Sequence, residues 1–223
     1  MQKNFLILLL AVTTTFVFSC QSETKTTTTE NATATTTTTA NDAPEAVTVA
    51  EDEANYMVDA ANSSLSWVGS KAVGDEHKGK LSLKDGSFVI SEGQIMAGQA
   101  TIDMNSINNE DLEGKWKQKL EGHLKSPDFF DVAQFPTATI NIKSDGANGF
   151  NGELTLRGVT MPVKLPATVT QEGTNYIVTL QPFKIDRTEW GVKYNSGKFF
   201  QNLKDKMIND DILVSGKVML THK

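Results

Sequence analysis

Side chains capable of acid–base, nucleophilic or metal chemistry are few in this 223-residue sequence, and they are scattered. The three histidines, His77, His123 and His222, lie far apart, and no two share the short spacing of a local metal clip. We expect no metal site. The single cysteine, Cys20, can form neither an internal disulfide nor a thiolate metal centre. There is no phosphate-cradling glycine loop, no G-x-S-x-G elbow, no H-E-x-x-H and no dinucleotide fingerprint. The densest chemical string is Asp186-Arg187-Thr188-Glu189-Trp190-Gly191. Asp186 or Glu189, or His123 from elsewhere, could carry a proton. No pair of acids at a suggestive spacing supports an enzyme, so we assign no catalytic residue. Arg187 reads two ways: its planar fork suits a phosphate, and its acidic neighbours suit a salt bridge that pins a loop.

The remaining chemistry is that of attachment. Residues 1–20 read MQKNFLILLLAVTTTFVFSC, with Lys3, an apolar run from Phe5 to Phe18, and Ser19 before Cys20. That is the layout of a secretory signal. A retained span would need roughly 20 apolar residues, and this run is shorter and broken by Thr13, Thr14 and Thr15. A small residue before a cysteine resembles the bacterial lipobox, which predicts a signal peptide over 1–19 and acylation, of the palmitate type, at Cys20. Residues 20–53 are a Thr/Ala tract with almost no large apolar side chains. Such a segment cannot offset its ordering entropy by burial, so it reads as a disordered tether. The formal charge of −6, with no block of Lys or Arg, argues against a nucleic-acid partner.

From about residue 54 to 223 apolar residues recur at every second position, as in a sheet with one dry face and one wet face. Ala100, Ile102 and Met104 form one such set, and Ala138, Ile140 and Ile142 another. Leu65 with Trp67, Leu81 with Leu83, Phe88 with Ile90, Leu154 with Leu156, Val163 with Leu165, and the series Ile212 to Leu220 continue it. Turn signals fall at Lys84-Asp85-Gly86, Glu92-Gly93, Arg157-Gly158 and Glu172-Gly173. About eight strands joined by hairpins result, and His222 falls in a loose tail. One stretch breaks the pattern: Leu112, Trp116, Leu120 and Leu124 recur every four residues and predict a helix, capped by Asn108 and ended by Ser126-Pro127. The fold class is all-β, an eight-stranded antiparallel barrel with one helical insertion, favoured over a sandwich by the hairpin order. A barrel of that size is filled by side chains or holds one small ligand. Small residues on the apolar faces, Ala100, Ala138, Gly152, Ala167 and Gly216, serve either a cavity or tight packing.

Two segments are more particular than generic strand: His123-Leu124-Lys125-Ser126-Pro127-Asp128-Phe129-Phe130-Asp131-Val132 with Phe135-Pro136, and Asp186 to Gly191. Together with Gly152-Glu153-Leu154-Thr155-Leu156-Arg157-Gly158-Val159-Thr160, Trp67 and His77-Lys78-Gly79, they resemble the YceI-like, or polyisoprenoid-binding, family across residues 56–221. The resemblance implies a lipocalin-like barrel whose long interior takes an isoprenoid chain, export to the periplasm, and no accepted catalysis. Many members are simply secreted; the expected anchor here departs from that and argues against free carriage of lipid between membranes. We therefore expect a lipoprotein facing the periplasm, with surface exposure left open, binding an isoprenoid or quinone-like lipid and needing no cofactor. The alternatives are an envelope interaction module with a filled barrel and, behind it, an enzyme. For the lipid tail we single out Trp67, Phe88, Ile102, Met104, Ile140, Leu156, Phe183 and Trp190. For a polar head the donors are Arg187, Arg157, Lys164, His77 and His123. The helix with Trp116 and Leu120 is expected to lid one end or pack on the wall, and Phe129 and Phe130 to lock their loop. The sequence leaves a homodimer open.

Overall fold

The computed structural model describes residues 54–145 and 149–223. The expected signal peptide, Cys20 and the tether to residue 53 lie outside them. Eight strands run as a meander: β1 (Ala54–Ser70), β2 (Glu76–Ser91), β3 (Gln94–Asn109), β4 (Thr137–Ser144), β5 (Gly149–Leu156), β6 (Val159–Glu172), β7 (Asn175–Asp186) and β8 (Asp211–His222). Each pairs antiparallel with the next, and β8 returns to β1 to close the barrel. The closing register runs from Tyr56 opposite His222 to Val68 opposite Leu213. Closure leaves no open sheet edge. One helix, α1 (Gly114–Lys125), stands between β3 and β4.

The period-two sets point inward as expected. Ala100, Ile102 and Met104 are buried, as are Ala138 and Ile142. Parity changes twice along β3: between Ile95 and Ala100, where the β2–β3 register shifts at Val89/Ile90, and again where Ser106 Oγ donates to the Asp103 carbonyl and the register shifts once more, beyond which Ile107 and Asn109 are the buried residues.

Three local expectations are corrected. Lys84-Asp85-Gly86 is not a turn: β2 continues through it, with a register irregularity between Leu83 and Asp85. There the main chain of Gly86 comes so close to β3 that an added Cβ would lie 2.7 Å from the Gln99 carbonyl oxygen. The helix begins later than its stripe. Asn109 still belongs to β3, and its Oδ1 accepts from the Leu112 N–H, while Glu113 holds the N-cap position without a side-chain cap bond. Asn108 instead accepts from Lys117 Nζ. His222 is no loose tail, because it ends β8 and packs edge-on against Tyr56 at 5.3 Å.

Alternating strand direction sorts the links. Those after β2, β4 and β6 lie at one end, and those after β1, β3, β5 and β7 at the other. The first end is plugged: the Tyr56 ring meets Tyr176 edge-on at 5.1 Å, and Ile90, Ile95 and Leu220 are buried nearby in the strands. The second end carries the long excursions, residues 110–136 with α1 and residues 187–210, the latter containing 3-10 turns at Arg187–Trp190 and Lys204–Lys206.

Glycines set how closely the wall layers approach. A Cβ on Gly79 would fall 2.0 Å from the Asn108 carbonyl oxygen and 2.7 Å from the Trp67 ring, whereas a Cβ on Gly122, inside α1, meets nothing within 4 Å. We expect Gly79→Ala to destabilise by about 1–3 kcal/mol, since backbone cannot yield as a side chain can. Gly122→Ala should stabilise by about 0.5–1 kcal/mol through helix propensity. Urea unfolding midpoints check both, and equal shifts in the same direction would contradict the packing described.

Candidate functional site

Inside the barrel is a continuous cavity of about 650 Å³, within the span of about 300–1,000 Å³ usual for small-molecule sites. It is open rather than filled, which separates it from the side-chain-packed alternative. Its wall is built from alternate residues of all eight strands, among them Leu65, Leu83, Phe88, Ile102, Phe150, Leu165, Phe183 and Val218. Every ionisable lining residue, Lys71, Asp75, His77, His123, Arg187, Tyr194, Asp205 and Lys206, belongs to the long-link end. Several of these are exposed, so the cavity opens there.

Of the expected tail contacts, Trp67, Phe88, Ile102, Met104, Ile140, Leu156 and Phe183 line the cavity. Trp190 does not. It is fully buried in the 3-10 turn after β7, and its indole N–H donates to the Leu154 carbonyl at 3.1 Å. The small residues divide. Ala100 and Ala138 line the cavity, while the space beside Gly152 and Gly216 is taken by Ile140 and Leu65. Among the described residues, one buried side-chain polar atom has no hydrogen-bond partner: Nε1 of Trp67, a cavity-lining residue two positions from Gly69 at the mouth. A buried donor left unpaired costs about 1–3 kcal/mol.

The mouth is held by two polar knots. In the first, Arg187, 1% exposed, donates through Nε to the Asn209 carbonyl (3.1 Å), through Nη1 to that of Val192 (2.8 Å), and through Nη2 to that of Ile208 (3.1 Å) and to Asp210 Oδ1 (3.3 Å). Its guanidinium carbon stands 5.5 Å from the centre of the Phe129 ring. Burial lowers the guanidinium pKa, and the charges of Asp210 and Asp186 oppose that. Arg187 is thus the pin of the 187–210 excursion, and four donor contacts are spent within the protein. Beside it, burial raises the Asp186 carboxyl, but hydrogen bonds from Lys198 and Thr188 outweigh this and hold it below the ordinary range.

The second knot joins β2 to the β3–α1 junction. Asp111 Oδ2 meets His77 Nδ1 at 2.7 Å, and its Oδ1 accepts from the Lys78 N–H at 2.8 Å and from Asn109 Nδ2 at 2.6 Å. Burial raises this carboxyl too, and the bonds from His77, Lys78 and Asn109 bring it below the ordinary range. His123, on α1, packs edge-on against Phe129 at 5.1 Å and Tyr194 at 4.6 Å.

The five expected head-group donors therefore separate. His77, His123 and Arg187 line the mouth. Arg157 does not, because its two terminal nitrogens bond the Gly191 and Pro127 carbonyls at 3.1 and 3.2 Å and tie the two excursions together. Lys164 is exposed on a shallow groove outside the barrel, beside Lys184, Glu189 and Asp211. Phe129 and Phe130, expected only to lock their loop, both line the cavity, with Leu120 and Leu124 of α1. Trp116 is 60% exposed and packs on no wall. Phe150 was missed, although extending the Leu154 and Leu156 alternation backward reaches it. Tyr194 has no such periodic signal. Among the described residues no three His, Cys, Asp or Glu side chains converge as a metal would require. The arrangement suits an apolar body held in the barrel with a polar end at the mouth.

Arg187→Lys keeps the charge and loses the fork. It should destabilise by about 1–3 kcal/mol for each carbonyl it abandons, read from urea unfolding, and an unchanged midpoint would contradict the pin. Asp111 and Asp186, held low in the fold, contribute stability that is complete above the unfolded carboxylate value of about 3.9 and is lost as pH falls through their lower native values. Asp111→Asn should therefore be less stable than the parent at about pH 6, with the gap closing towards about pH 2.

The fold has known counterparts. The family model described as YceI-like domain matches residues 56–220. A UPF0312 protein of Shewanella denitrificans is 26% identical over 175 residues, 73% of this chain and 90% of that protein. One from Vibrio vulnificus is 30% identical over 131 residues, 55% of this chain and 66% of its own, so the chain spans just under two thirds of that relative. Among solved structures, a polyisoprenoid binding domain from Saccharophagus degradans superposes with a TM-score of 0.57 at 19% identity, covering 77% of this chain and 100% of that one. BcnA of Burkholderia cenocepacia gives 0.54 at 23% identity, covering 73% and 98%. These two likenesses are of fold. The family model spans nearly the whole barrel, from the start of β1 to the end of β8, and this chain belongs to the YceI-like family.

Proposed function

We propose that the protein is a lipoprotein of the cell envelope, acylated at Cys20 and facing the periplasm, whose barrel holds one long apolar lipid of isoprenoid or quinone type. The observation that carries this reading is the apolar cavity of about 650 Å³, closed at one end and opening at the other through a polar rim. Each CH₂ buried there contributes roughly 0.8 kcal/mol, so an apolar chain can bind firmly with few polar contacts. The description of the Saccharophagus domain as polyisoprenoid binding supports the same ligand class. The wall supports a reading of binding rather than catalysis, because among the described residues no ionisable side chain lines the cavity below the mouth.

Full-length chain purified without detergent should yield isoprenoid lipid to organic extraction and mass spectrometry, and added polyprenyl lipid should raise its melting temperature. Neither outcome occurring would overturn the proposal.

A further inference from the structure

Exposed large apolar side chains are unevenly placed on this molecule. Of nine large apolar side chains exposed among the described residues, Met57, Met96, Val159 and Leu213 are scattered over the strands, whereas the four aromatics, Trp116, Tyr194, Phe199 and Phe200, and Val73 are 37–67% exposed and lie in the β1–β2 link, α1 or the 187–210 excursion, the segments that surround the cavity mouth. Lysines accompany them. Lys115 and Lys119 stand 5.5 and 5.7 Å from the centre of the Trp116 ring, and Lys193 is 4.7 Å from that of Phe199. The segment 113–125 holds four lysines against two glutamates, and 191–209 four lysines against one aspartate, on a chain whose formal charge is −6. The two segments touch where His123 meets Tyr194. An aromatic flanked by lysines, with its ring in solvent, has no use inside the fold. Trp is suited to the boundary between lipid headgroups and acyl chains, and lysine to anionic headgroups.

We propose that this rim is a membrane-docking face: Trp116, Phe199 and Phe200 enter the interfacial layer of an anionic bilayer, and Lys115, Lys119 and Lys193 bind its headgroups. The mouth is thereby set against the bilayer, and lipid passes between membrane and cavity without crossing water. This rests on the reading of the barrel as a lipid binder, and it adds a surface distinct from the Cys20 anchor. A dry protein interface is the competing occupant. It is disfavoured because interface centres are depleted in lysine, whereas here lysines sit directly over the aromatic rings.

Trp116 reports on the question itself. The full chain is mixed with vesicles of phosphatidylcholine, with or without phosphatidylglycerol, carrying brominated acyl chains. The Trp116→Phe variant supplies the emission of Trp67 and Trp190 for subtraction. On phosphatidylglycerol vesicles the Trp116 signal should shift to the blue and be quenched by bromine, and it should do neither on phosphatidylcholine alone. Lys115→Gln with Lys119→Gln should lower the apparent affinity on the order of twentyfold, as two headgroup contacts are worth, and high salt should act in the same direction. Because the measured atom is on the rim, attachment through the N-terminal segment cannot imitate the result. Trp116 left unquenched and open to acrylamide on vesicles that carry the chain would overturn the proposal. The cavity is scored separately, by isoprenoid binding of the double lysine variant in solution. Failure there with quenching intact removes the lipid-binding reading and spares the docking face, and the converse pattern does the reverse.

Discussion

Closure of β8 onto β1 is the constraint from which the rest follows. A sheet that ended at either strand would expose a row of unpaired N–H and C=O groups along its edge. Closing it satisfies them and forces every second side chain into one enclosed space. Strand length then decides what that space is. At roughly 3.3 Å per residue, the 17 residues of β1 run about 55 Å, so the barrel is deep. Its far end is closed where Tyr56 and Tyr176 meet. Beyond the plug the wall carries small residues such as Ala100 and Ala138, while Phe88, paired with Tyr56, lies over the gap left by Gly98, where a Cβ would be 2.0 Å from its ring. A cavity is what remains when a deep barrel is plugged at one end.

The open end must be kept in shape without packing across it. Here polar chemistry takes over from the hydrophobic effect. Arg187 gathers carbonyls from both flanks of its excursion, Arg157 ties that excursion to the one bearing α1, and Asp111 fastens the β3–α1 junction to β2. Arginine suits the first two places because its fork presents several donors in fixed directions. A lysine could reach one or two of the same carbonyls, and the loops would lose their common pin. The donors that a sequence reading assigns to a ligand are thus largely consumed in building the aperture.

The division between what the sequence reveals and what it hides follows from this. Strand faces are legible, because alternation is a local signal and closure turns it directly into an inside and an outside. Ile102, Ile140 and Phe183 could be named from spacing alone. Trp190 could not be separated from them, since it sits beyond β7 where a 3-10 turn replaces the strand and the parity argument has no hold. The Asp85-Gly86 pair misleads for a related reason: the same residues that make a tight turn also make a bulge in a continuous strand. Trp116 continues the stripe of Leu120 and Leu124, but α1 starts only at Gly114 and buries Leu124 alone, so its first turn projects away from the barrel. Arg187, which reads from sequence as either a ligand donor or a loop pin, is decided by the carbonyls of residues 192, 208 and 209, whose approach no local pattern shows.

The direction of the mouth bears on how anchor and barrel would work together. β1 begins at the plugged end, so a chain arriving from Cys20 joins the barrel opposite its opening. With strands tilted some 35–45°, a strand of about 55 Å gives a barrel about 40 Å tall, and a short link would hold the mouth away from the membrane carrying the anchor. The 33 residues from Gln21 to Glu53 reach up to roughly 110 Å when extended, more than twice that height. If Cys20 carries the proposed anchor, a link of that reach is long enough for the proposed rim to meet the membrane that bears it.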